Sequence, residues 1–231
     1  ASAALSEKPR PRLAPASGGW AGLSGRLQAH STTAPVLSRI EQEAGDALQS
    51  EWWTDFPQSD AGSGSNRYFM EIGDALTQIA FHHRATGEEQ YAGALQRALV
   101  VASYPPGGET SPEYYNGSTD KLGTRWVFYL AYIYDWYYSD MTQTERSSLL
   151  SAIDWRLQAI MGSAASWESG QGVYTQGVAG FLHSHPLENF YSAAAAIALT
   201  AGDSEVADRY APLMLNYLLG VGSGYGPEEG W

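Results

Sequence analysis

Apolar positions recur at i, i+3, i+4 and i+7 along most of this chain, the spacing of amphipathic helices rather than the alternation of half-buried strands. Val36, Leu37, Ile40, Ala44, Ala47 and Leu48 form such a stripe and predict a helix over 34–50, after a short one over 20–30. Phe69, Met70, Ile72, Leu76, Ile79 and Ala80 predict another over 67–85 with those side chains inward. Thr86-Gly87 interrupts it, and 88–104 predicts its antiparallel partner. The stretch 121–138 is apolar almost all round, which predicts a helix buried on nearly every side, with Trp126 and Trp136 in the core. Thr142, with Glu145 three residues on, forms a capping box that opens a helix to about 161. Helices over 186–200 and 204–219 complete the set.

Long stretches rich in Gly, Ser, Pro and aromatic residues separate these helices at 52–65, 105–120 and 163–180, and another follows at 220–231. The segment 1–19 is Pro-, Ser- and Gly-rich and reads as irregular. No segment carries a competing strand pattern. The order is helix, short Gly turn, helix, long loop, repeated, which predicts an all-α fold of antiparallel hairpins, an α/α toroid or an α-solenoid. About eight helices are expected, where a closed toroid needs about twelve. The expected organisation is therefore an irregular segment 1–19 followed, over 20–231, by the N-terminal part of an incomplete α/α toroid.

Charge narrows the partners. With 13 Lys+Arg against 25 Asp+Glu, the formal net charge of −12 argues against nucleic acid, whose phosphates need a basic surface. An anionic ligand fits only where positive potential is local, at a helix end or a few arginines. The 8 Trp and 15 Tyr, many of them between helices, suit sugar stacking as well as core packing. The absence of cysteine removes disulfides and thiolate metal sites and is compatible with an extracytoplasmic bacterial protein. The small-residue start Ala1-Ser2-Ala3-Ala4 resembles one left by signal cleavage, so a periplasmic or secreted location is expected, with no membrane span.

The densest polar chemistry lies at 181–191, Phe-Leu-His-Ser-His-Pro-Leu-Glu-Asn-Phe-Tyr. Pro186 suits a first helical turn, because its missing N–H has no partner to lose there. His185, Glu188 and Asn189 then fall at i, i+3 and i+4, on one face over the positive end of the helix dipole, a place for a carboxylate or a developing enolate. The plainer reading is a helix start satisfied by local polar side chains. His183, His185 and Glu188 also make a metal-ligand set, which the proline and the helix boundary work against, so no metal site is expected here. His82 and His83, inside a helical hairpin, read as structural.

Several stretches, in order, resemble the heparinase II/III-like polysaccharide lyases. They are Arg10-Pro11-Arg12-Leu13 leading to Leu23-Ser24-Gly25-Arg26-Leu27, the hairpin around Thr86-Gly87, Tyr134-Asp135-Trp136 followed by Met141-Thr142-Gln143-Thr144-Glu145-Arg146, and Gly226-Pro227-Glu228-Glu229-Gly230. The resemblance implies a toroid continued by further helices and a β-sandwich beyond this chain. It also implies β-elimination on a uronic-acid polysaccharide, alginate or glycosaminoglycan. The 181–191 motif lies where the family places its carboxylate-neutralising Asn or His, and His185-x-x-Glu188 resembles the His-x-x-Glu of its heparinase II branch. His185 and Asn189 would neutralise the uronate, with Glu188 orienting His185 and keeping it charged. The family's tyrosine and a second histidine are expected past Trp231, in a C-terminal remainder that would act as this chain's partner.

Arg67, Tyr115 and Arg125 lie in or beside loops expected to face the cleft, and His183, Tyr225 and Glu229 are further substrate-binding candidates. No cofactor is expected in this chain, and a structural metal belongs, if anywhere, to the remainder. Two rivals stay open. One is an α/α-barrel glycoside hydrolase pairing Glu188 with Glu228 or Asp74. The other is a helical carbohydrate-binding domain without chemistry.

Overall fold

A computed structural model describes residues 10–13, 19–20, 22–50, 53, 66–103, 122–162 and 186–218, with backbone placement alone at 66–72, 122–125, 159–162, 186–190, 213 and 216–218. Within them the chain is mostly helical and has no strand. The helices are α1 (Leu23–Gln28), α2 (Ala34–Leu48), α3 (Asn66–Thr86), α4 (Ala94–Ser103), α5 (Leu122–Trp136), α6 (Gln143–Gly162), α7 (Pro186–Thr200) and α8 (Glu205–Leu218).

The hairpin turns form as their residues require. Gly87 and Gly202 hold φ of 75° and 84°, left-handed values that end α3 and α7 at little steric cost. At the start of α6 the capping box closes in both directions: the Thr142 N–H donates to Glu145 (2.7 Å), and the Glu145 N–H donates to the Thr142 hydroxyl (3.2 Å). Two expectations need correction. Residues 88–104 are not one helix, because a 3-10 turn at Glu89–Tyr91 precedes α4. That turn brings the buried Tyr91 ring to 4.2 Å from the buried His82 ring. Val36, counted in the apolar stripe of α2, is 56% exposed, and the buried residues of that helix are Leu37, Ala44 and Ala47.

Helices α3, α5 and α7 pack side by side, and α4, α6 and α8 pack with α6 between the other two, so the hairpins build two rows. Within the first row α3 and α5 run the same way. Gly73 abuts Tyr129, Phe81 meets Trp136 at 6.1 Å, and the Tyr137 hydroxyl, just past α5, lies 2.8 Å from His83 Nδ1. Helix α7 packs along α5, with Leu199 near its C-terminal end brought beside Asp135 by a shared hydrogen-bond partner. All three helices therefore begin at one end of the row and finish at the other.

Gly73 lets α3 and α5 approach closely: a Cβ there would lie 2.0 Å from Cε2 of Tyr129, whose ring is buried. Helix propensity alone favours Gly→Ala by about 1 kcal/mol. The ring has no free space to yield, so Gly73→Ala is expected to destabilise the chain by roughly 1–3 kcal/mol instead. Urea unfolding reads the sign. In a Tyr129→Ala background the Gly73→Ala penalty should disappear.

His82 and His83 are structural, as their hairpin position suggests. His82 is buried against Tyr91, and His83 stacks on Tyr137 with centroids 5.7 Å apart. Burial, and the adjacent Arg84 guanidinium, hold the His83 imidazole below its ordinary 6.5. The unfolded chain then takes up a proton below 6.5 that folded His83 resists. Its contribution is complete above 6.5 and is lost as pH falls from there toward the folded value. His83→Gln is expected to flatten this part of the pH dependence of the urea midpoint.

Candidate functional site

Of the expected site residues, His183, His185, Tyr115, Tyr225 and Glu229 lie outside the described residues, as does Glu228. Arg67, Arg125, Glu188 and Asn189 are placed by backbone, and their helices bring them to one end. Helix α7 begins at Pro186, as its proline requires, so Glu188 and Asn189 occupy its first turn. The packing sets their heights. Asp135 on α5 and Leu199 on α7 stand level at the far end, each ten residues beyond Arg125 and Asn189 respectively. At 1.5 Å per residue, Arg125 and Asn189 both stand about 15 Å from that level. Gly73 is level with Tyr129, which places Arg67 about 3 Å higher still. Three parallel helix N-termini, each with its partial positive charge, thus share an end with two arginine positions.

The opposite end is closed by a clasp from the N-terminal segment. The Asp135 carboxylate, 0% exposed, accepts from the Arg10 guanidinium (3.2 Å) and from the backbone N–H groups of Arg12 and Leu13 (2.9 Å each). Arg12 donates to the carbonyls of Ala198 (2.8 Å) and Ala201 (2.6 Å), and Arg10 donates to that of Leu199. These are carbonyls of the last turn of α7 and just beyond, where cations are favoured. Arg10 also pairs with Asp203, which accepts from the Tyr134 hydroxyl (3.0 Å), and lies over the Tyr134 and Tyr138 rings at 5.2 and 4.9 Å. The desolvated setting and Asp203 raise the Tyr134 pKa well above its ordinary 10.0, so the phenol stays protonated as a donor. The segment 1–19, expected to be irregular, therefore has a docked part at Arg10–Leu13. Two signals for it stand in the sequence: arginines flanking Pro11, and an aspartate in an otherwise apolar turn of α5.

Asp74, weighed as a hydrolase carboxylate, is exposed and accepts from the buried Tyr129 hydroxyl at 2.5 Å. Among the described residues no group of three or more His, Asp or Glu side chains could hold a metal ion, and no helix is long and apolar enough to cross a membrane. His183 and His185, which would form a metal set with Glu188, lie outside them. No protein-family model matches this chain, and no curated protein matches it.

Proposed function

We propose that this chain is the N-terminal part of an α/α toroid that binds uronic-acid polysaccharide for β-elimination. The reading is carried by one observation: the starts of α3, α5 and α7 gather at one end, with Arg67, Arg125, Glu188 and Asn189 within about 5 Å of one another in height. Two rows of helices, one parallel within itself, are what successive hairpins of a toroid would present. The motifs that carry the resemblance also converge, since Arg10-Pro11-Arg12-Leu13 clasps the aspartate of Tyr134-Asp135-Trp136.

The proton at C5 of a uronate is weakly acidic, and its removal builds charge on the adjacent carboxylate. Donors fixed in advance at a dry site lower that barrier. His185, the Asn189 amide and the N–H groups of the first turn of α7 would supply such donors, and Glu188 would orient His185. The arginines hold neighbouring carboxylate or sulfate groups as bidentate partners. The base, the family's tyrosine, is expected past Trp231. The chain acts on acidic polysaccharide outside the cytoplasm, and its remaining partner is its own continuation.

Digestion of alginate, heparan sulfate, chondroitin sulfate and hyaluronan by the full-length protein tests the reading. A lyase leaves a C4–C5 double bond that absorbs in the ultraviolet. New reducing ends without that absorbance would sink the proposal in favour of a hydrolase. Binding without any cleavage would leave a carbohydrate-binding domain.

A further inference from the structure

Packing gives α7 little to fix its position along its neighbours. Among the described residues, its buried side chains are Ser192, Ala193, Ala196, Ile197, Leu199 and Thr200. All but Ile197 and Leu199 are no larger than threonine. Register between packed helices comes from ridges seated in grooves, and side chains this small make shallow ridges.

The clasp supplies what those side chains lack, because two of its residues each bond both α5 and the end of α7. Arg12 donates its backbone N–H to Asp135 of α5 (2.9 Å). Its guanidinium donates to the carbonyls of Ala198 and Ala201 at the end of α7 (2.8 and 2.6 Å). Arg10 repeats the bridge, from the Asp135 carboxylate (3.2 Å) to the Leu199 carbonyl. The Leu13 N–H holds the other Asp135 oxygen (2.9 Å), so the segment's backbone is tied to α5 while its two arms reach α7. The last carbonyls of a helix point along its axis. Guanidinium groups seated on them therefore resist sliding of α7 along α5 as well as separation of the two helices. Fixing register is the best-attested use of buried ionic groups.

We propose that Arg10 and Arg12 are positioning residues that set the axial register of α7 against α5. The catalytic consequence rests on the lyase reading above and adds to it a control remote from the substrate. A helix is a stiff element, so an offset at Leu199 reappears ten residues away at Asn189, about 15 Å off. The clasp thus holds the donors at the start of α7 level with Arg125 while touching no substrate itself. Helix shifts at packed interfaces run to about 1–2 Å, and a misplacement of about 1 Å costs a reaction on the order of 10²-fold.

The chain has no cysteine, so two introduced thiols carry spin labels at those places alone. Tyr191→Cys on α7 and Gln158→Cys on α6 are exposed positions outside the clasp. Pulsed electron paramagnetic resonance on the 231-residue chain then reads the offset without substrate. Arg12→Ala is expected to move or broaden the separation by about 1–2 Å. Arg12→Lys, which keeps the charge but not the fork to two carbonyls, should do so by less. Val101→Ala, at a buried residue of α4, costs stability and should leave the separation unchanged. In the full-length protein, Arg12→Ala is expected to lower kcat about 10- to 100-fold and to add little to Asn189→Ala, whose amide it displaces. Unchanged separations in both Arg12 variants overturn the proposal, as do shifted separations with kcat at the parent level. If Arg12→Ala does not fold, Arg12→Lys carries both readings. If the separation shifts and the parent protein eliminates no uronic-acid polysaccharide, the register role stands and the lyase reading falls.

Discussion

Asp135→Ala is expected to lower the unfolding free energy by about 3–5 kcal/mol, the scale for breaking a buried, hydrogen-bonded ion pair from one side. The aspartate is fully buried and the Arg10 side chain 9% exposed, so neither charge has water to fall back on. Deleting the carboxylate strands a guanidinium and two backbone N–H groups together. Asp203 softens the loss for Arg10, since it holds the other arm, but it is itself 28% exposed and cannot reach the two amides. Asp135→Asn keeps one acceptor and should lose about half as much. Asp203→Ala, at a partly solvated pair, should cost about 1 kcal/mol. Urea titration gives the sizes. Trypsin gives the place, because undocking should expose the Arg12–Leu13 bond while Arg156, buried in α6, stays protected. An Asp135→Ala chain with unchanged unfolding and unchanged cleavage at Arg12 would refute the clasp.

That clasp shows where sequence reading stops. Helices α2, α3, α5, α6, α7 and α8 are legible because their signals are local: a stripe from Leu37 to Ala47, a proline at 186, a capping box at 142 and 145, glycines at 87 and 202. Each depends on neighbours within a few residues. The partnership of Arg10 with Asp135 spans 125 positions and leaves no periodic mark. A lone acid in an apolar helix says only that a partner exists, not which one. Gly73 is a sharper case. Local propensity marks it as a weak point of α3, whereas the Tyr129 ring makes it a requirement. The break between Thr86 and Ala94 has the same character, since Tyr91 turns inward to meet His82 rather than continuing a helix.

The candidate site was legible in a different way. Motif spacing supplied Glu188 and Asn189, and general chemistry supplied Arg67 and Arg125, but nothing in the sequence set them at one height. Their common level comes only from parallel packing of α3, α5 and α7, a non-local result.

Under the lyase proposal, Asn189→Ala is expected to lower kcat of the full-length protein by about 10²–10³-fold, the usual loss for one preorganised donor to developing negative charge. The split between kcat and KM depends on when the interaction matures. A ground-state uronate carboxylate shares its charge with Arg67, Arg125 and solvent, so loss of one amide weakens binding little, and KM should stay within about threefold. As the C5 proton leaves, the carboxylate gains enolate character, and a fixed donor in the first turn of α7 becomes worth more. Asn189→Asp should be at least as damaging, because it sets a like charge where charge accumulates. Arg125→Ala, at the same height but holding charge already present, should instead raise KM and lose its effect in high salt. This contrast separates the residues by chemistry rather than position. A loss at Asn189 confined to KM would make it a substrate anchor. No loss in either constant would remove Asn189 from the site and leave the helix start as simple capping.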